Sequence, residues 1–174
     1  MKFIDLTLPL YNGMPVYPGD QEALIETVMT LDKDGWNMLR MHLNLHDGTH
    51  VNVPLHAVDK GKDLDDYELA DFCGQAVIYD PSQPMDGSKG VIFRDHDINI
   101  EIGEEIKRVM PRFIGLSATY EFDIEIEKDL LRAGIVSFEK LTNLELLPQE
   151  FMFYGMPLKI KKGDGSPVRA IAII

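Results

Sequence analysis

Cysteine is almost missing from this chain. Cys73 stands alone among 174 residues, which excludes an internal disulfide and makes a reducing, cytoplasmic compartment the expectation. Basic side chains are scarce too: 17 Lys and Arg face 29 Asp and Glu, for a net charge of −12. No nucleic-acid partner is expected, since phosphate neutralisation needs clustered Lys and Arg, and an anionic membrane surface would repel such a chain. Long hydrophobic runs are absent. The longest, Ala170 to Ile174, has five residues where a spanning helix needs about 20, so no membrane association is expected. Asp5 breaks the first apolar stretch before the core of a secretory signal could form. The chain is 45% apolar, long enough for one sizeable core, and reads as a single domain over 1–174.

No repeat, low-complexity tract or Ser/Gly linker divides it. The one long loop signal, Asp80 to Gly90, lies between strand-like runs Ala76–Tyr79 and Val91–Phe93. Phe3 to Leu10 alternates loosely as a strand, and Phe113–Leu116 and Ile135–Phe138 suit buried strands. Phe151–Tyr154 and Leu158–Ile160 read as strand. The turn Lys162–Pro167 would then return Val168–Ile174 as a hairpin partner. Three helices are expected: one led by Asp65-Asp66-Tyr67-Glu68 and stopped by Gly74, one over Ile102, Ile106 and Val109 ending at Pro111, and one over Ile126, Leu130 and Leu131 closed by Gly134. The class is mixed α/β.

Four of the five histidines, His42, His46, His50 and His56, fall within fifteen residues. Spacing by four would align the first three on a helix, but apolar residues at 39, 41, 43 and 45 alternate with Arg40, His42, Asn44 and His46. Strict alternation marks a half-buried strand. It would deliver His42 and His46 to one face before Asp47-Gly48-Thr49 turns the chain toward His50. Imidazoles from a strand end and the following turn can converge on a cation, which lowers the pKa of water toward ~7. Polar residues on the wet face of a sheet would show the same pattern. For His42 that plainer reading is preferred; for His46, His50 and His56 composition leaves both open.

His46-x-Gly48-Thr49-His50-x-Asn52-x-Pro54-x-His56 closely resembles the His-x-Gly-Thr-His-x-Asp-x-Pro-x-His pattern of the cyclase family, which includes kynurenine formamidase and isatin hydrolase-like metal-dependent hydrolases. Asp5-Leu6-Thr7 with Pro15 to Asp20, Phe138 to Leu144, and Asp164 to Arg169 resemble further blocks of the family in the same order. The resemblance implies a swivelling β/β/α domain, a mixed sheet with a few flanking helices, and a homodimer or higher homo-oligomer. It implies hydrolysis of a small-molecule amide, formamide or lactam with one or two divalent ions. His46, His50 and Glu139 match metal-ligand positions, His56 matches a histidine that moves protons, and Tyr17 stands where an aromatic residue contacts a flat substrate. For Tyr17, packing beside Pro15 and Pro18 is the competing explanation. The Gly163–Pro167 turn is read as hairpin chemistry rather than a substrate contact.

Two departures change the implied shell. Asn52 replaces the family's aspartate with a neutral, weaker ligand. Glu127 stands where the family has another histidine, although an acid in the first turn of a helix also favours the helix dipole. The segment between Phe93 and Ile114 is also shorter than the family's. The shell becomes His46, His50, Glu127 and Glu139, with Asn52 as a weak fifth ligand. It suits one ion rather than two, Zn or Mn first and Fe also compatible. His56 and Glu139 are the expected catalytic groups, Glu139 orienting water or acting as base if it is not a ligand. The rival expectation is a homologue that has lost hydrolysis and binds a metabolite or protein partner in the inherited pocket. Nucleophilic catalysis by Cys73 is disfavoured, because a thiol near a helix end and with no activating neighbour is inert.

Overall fold

A computed structural model describes residues 1–174. In chain order it holds β1 (Phe3–Asp5), β2 (Leu24–Met29), the single-turn α1 (Leu31–Asp34), β3 (Met38–His42), β4 (His50–Asn52) and β5 (Cys73–Ile78). There follow β6 (Gly90–Phe93), α2 (Ile100–Val109), β7 (Ile114–Ser117), α3 (Ile124–Arg132), β8 (Ser137–Leu141), β9 (Glu150–Tyr154), β10 (Gly165–Pro167) and β11 (Ile171–Ile173). Nine strands form one mixed sheet in the order β1-β11-β9-β5-β6-β7-β8-β4-β10, while β2 and β3 pair apart as a two-stranded arm. Strands β5 to β8 run parallel and the flanks antiparallel. Parallel neighbours need a crossover, and α2 and α3 supply two of the three; the loop after β5 supplies the other, where the Pro- and Gly-rich stretch predicted it.

Alternation along the central strands sorts the core into two layers. Val91, Phe93, Ile114, Leu116 and Ile135 pack against Ile106 of α2 and Leu130 of α3. Their neighbours Ile92, Phe113, Val136 and Phe138 point the other way, onto Val51, Val53, Phe153, Ala170 and Ala172. The sheet curls so that both flanks share this second layer, with Ile4 and Leu6 from one flank and Val51 and Val53 from the other. Phe113, Phe138 and Phe153 form its centre, with ring centroids 4.8–5.6 Å apart. This is the mixed sheet with few helices expected above. No helix is long and apolar enough to cross a membrane.

Both long helices lie where capping chemistry places them. Asn99 accepts from the Ile102 amide and Asp123 from those of Glu125 and Ile126, satisfying amides with no partner inside the helix. Four expectations change. The first strand stops at Asp5. The helix expected after Asp65 is two single 3-10 turns, Leu64–Asp66 and Leu69–Phe72, because the acid pairs Asp63/Asp66 and Glu68/Asp71 each close a box around one turn. The strand expected to run from Leu39 to His46 ends at His42, since its partner β2 begins at Leu24, the residue paired with His42. Leu158–Ile160 is not a strand; instead Gly165–Pro167, expected as turn, pairs with β4. Cys73 opens β5, half-buried, with Sγ 3.6 Å from the Leu69 carbonyl oxygen.

Candidate metal centre

The site grows out of the short strand β4. Val51 turns into the core, so its neighbours His50 and Asn52 face the opposite side, the side on which α3 packs. On β8, Glu139 lies directly across from His50 and Ser137 across from Asn52. On the other edge Pro167 and Gly165 of β10 hold the same two positions. The turn entering β4 is pinned twice. Gly48 adopts a left-handed φ of 66°, open to glycine without strain, and the Thr49 hydroxyl donates to the Lys140 carbonyl while accepting from the Leu8 amide. Beside Glu139 the β7–β8 register slips by one residue and Lys140 takes a φ of 55°. Such a bulge bends a strand and re-aims its side chains, here next to the carboxylate that faces His50.

The side chains form one connected network. The Asn52 amide nitrogen donates to Glu127 Oε1 at 3.0 Å and to Glu139 Oε1 at 2.5 Å, and its oxygen lies 2.7 Å from His46 Nδ1. His50 Nδ1 donates to the Gly48 carbonyl at 2.9 Å while Nε2 faces Glu139 Oε1 at 3.3 Å. His46 Nε2 faces Asp164 Oδ2 at 3.1 Å, and His56 Nδ1 reaches the same oxygen at 3.4 Å. The His46 and His56 rings stack with centroids 3.8 Å apart. Beneath His46 is Gly165, where a Cβ would sit 2.5 Å from the ring.

Charge in this network is strongly redistributed. Burial and the Glu139 charge push the Glu127 carboxyl up to about 8. Burial also works to raise Glu139, but hydrogen bonds and charge from His50, with those from Asn52 and Glu127, outweigh it and hold the group at about 2. Glu127 therefore carries the proton when no cation is present. Burial, then the neighbouring His46, lowers the His56 pKa against the opposing pull of Asp164, so this ring is neutral at pH 7.

The donor set fits a divalent cation. His46 lies between Asn52 Oδ1 and Asp164 Oδ2, and His50 between the Gly48 carbonyl and Glu139 Oε1. Each ring thus has an oxygen facing each of its nitrogens, and neutral imidazole is a ligand that divalent cations take. The ligand atoms of His46, His56 and Asp164 lie within 4.8 Å of one another, and Asn52 joins them to the further imidazole and carboxylate groups of His50, Glu127 and Glu139.

The fold has counterparts in known proteins. Residues 4–113 match the Cyclase family. The chain belongs to that family. Among curated Cyclase-like relatives, the kynurenine formamidase of Salinibacter ruber is 29% identical over 98% of this chain and 97% of its own length. That of Bacillus cereus is 24% identical over 98% and 96%. Isatin hydrolase A from Labrenzia aggregata superposes with a TM-score of 0.78 at 21% identity, covering 99% of this chain and 93% of that one. A potential metal-dependent hydrolase with cyclase activity gives 0.78 at 22% identity, over 98% and 96%.

Within this Cyclase fold His46, His50, Asn52, Glu127 and Glu139 come together, with His56 beside them. Glu127 stands in the first turn of α3 but is half-buried rather than solvated, accepting from Asn52. His46 is delivered by the turn after Asn44, not by β3. His42 stays on the arm, exposed, 3.2 Å from Glu26, so the plainer reading holds for it. Tyr17 lies on the loop between β1 and β2, 60% exposed and with no hydrogen bond to the cluster. Asp164 is the residue that sequence reasoning passed over. It lies inside the Asp164–Arg169 block, in a segment whose sequence reads as a hairpin turn.

Proposed function

We propose that this chain is a hydrolase of a small carbonyl compound, cleaving an amide-type C–N bond such as that of a formamide or lactam with the help of one divalent cation. The observation that carries the reading is the network in which Asn52 links His46 to Glu127 and Glu139 while Glu139 faces His50. Relatives named kynurenine formamidase and isatin hydrolase support the bond class. His46, His50, Glu127 and Glu139 would hold the ion. One ion is favoured over two because the neutral amide of Asn52 spans the carboxylates in place of a bridging anion. Bound there, Zn or Mn would act as a Lewis acid on the carbonyl and ease deprotonation of water.

The remaining work falls to the protein. His56, neutral and half-buried at the edge of the cluster, takes a proton as the water oxygen adds to the carbonyl carbon. It returns that proton to the nitrogen as the C–N bond breaks, help worth roughly 10²–10⁴-fold. Tyr17 would meet a flat substrate from its exposed loop.

Turnover of N-formylkynurenine and isatin by the purified chain, before and after chelation, tests the assignment. Activity lost with the metal and restored by Zn or Mn is expected, and His56→Ala should keep the metal while kcat falls 10²-fold or more. Full turnover after exhaustive chelation would overturn it. The Asn52 amide satisfies both carboxylates without any cation, which favours a second reading: a binding protein derived from an enzyme. Metabolite binding indifferent to metal, with no turnover, is its mark.

A further inference from the structure

Asp164 has no part in the reaction above, yet its Oδ2 is the one atom that meets both His46 and His56, at 3.1 and 3.4 Å. Its backbone is fixed by the strand that carries the shell. The Asp164 carbonyl accepts from the Val53 amide, and Gly165 beside it pairs with Asn52. The two rings it touches are stacked, so one carboxylate oxygen can serve both N–H groups at once. An imidazole offers a lone pair only at the nitrogen that lacks the proton, and a carboxylate at one nitrogen decides which that is.

We infer that Asp164 is the positioning residue of this site, keeping a proton on Nε2 of His46, so that Nδ1 turns to the cation shell, and on Nδ1 of His56, so that Nε2 is free for the substrate. The inference rests on the hydrolase reading for its purpose but not for its geometry. It assigns the Gly163–Pro167 segment a chemical role: Asp164 orients His46 from the outer side while Gly165 leaves room for the ring beneath. His46, His56 and Asp164 also offer three ligand atoms within 4.8 Å of one another, which would instead make Asp164 a ligand. The experiment separates the two.

Imidazole ¹⁵N spectra of the cation-free chain should show His56 protonated at Nδ1 and bare at Nε2. In Asp164→Ala that preference should collapse to a mixture. Affinity for Zn or Mn should fall 10–100-fold at unchanged stoichiometry, with kcat reduced more than KM is raised. Asp164→Asn, isosteric but uncharged, should lie between wild type and Asp164→Ala, and Asp164→Glu should recover part of the loss. If Asp164→Ala does not fold, the comparison of wild type with Asp164→Asn carries the test. Unchanged tautomers and affinity in the folded variants would overturn the inference. So would loss of the stoichiometric site itself, since that would make Asp164 a ligand. A wild-type chain that binds no cation and hydrolyses nothing would sink the hydrolase reading, while the tautomer spectra would still decide the role of Asp164.

Discussion

A methyl group at position 165 would lie 2.5 Å from His46 Cε1 and 2.6 Å from the Val51 carbonyl oxygen. Gly165→Ala must therefore move His46, β4 or both, and displacements of about 1 Å can cost 10²-fold in rate. A loss of that order in kcat/KM, with weakened metal binding by titration, is expected; wild-type values would mean that His46 does not matter where it stands. Glu127 makes a separate prediction. Its carboxyl, raised from an ordinary 4.5 to about 8, binds more protons folded than unfolded between those values. The cation-free protein should lose stability as pH rises across that window, by a few degrees in Tm. In Glu127→Gln the decline should vanish, and saturating Zn or Mn should reverse it in the wild type, because the ion needs the deprotonated carboxylate. The histidines were legible in the sequence because His46, His50 and His56 lie within one short motif. Asp164 was not, because the Gly- and Pro-rich segment around it reads as a turn, and its approach to His46 is made 118 residues away in sequence.

Strand β8 serves two layers at once, Phe138 locking the aromatic trio and Glu139 facing His50. Phe138→Ala should cost about 3–5 kcal/mol in denaturant unfolding and release the carboxylate with it. At α3 the cap carries the load: Asp123→Ala removes the acceptor for two amides and should cost about 1 kcal/mol, loosening the turn that presents Glu127. Helix ends were readable because caps are local chemistry. The end of β3 was not, because alternation continues to His46 while the partner strand does not, and no local periodicity reports where a partner stops.

The arm of β2 and β3 stands off the main sheet and exposes Leu31, Trp36, Leu39 and Met41, each more than half accessible. Isolated two-stranded ribbons are marginal in water, and on a chain of net charge −12 an uncharged face is where repulsion between copies is least. Together with the homo-oligomer implied by the family resemblance, this makes a dimer or larger species the expected result of sedimentation. Leu39→Lys with Met41→Lys should give a 19.7 kDa monomer; a monomeric wild type would remove that reading. The pairing of β10 with β4 has a further consequence, for synthesis on the ribosome. His46 leaves the peptidyl-transferase centre 118 residues ahead of Asp164, about 6–24 s at 5–20 residues per second. Throughout that interval the emerging histidine turn lacks both Asp164 and the β10 strand that pairs with β4, so the site cannot take its finished geometry.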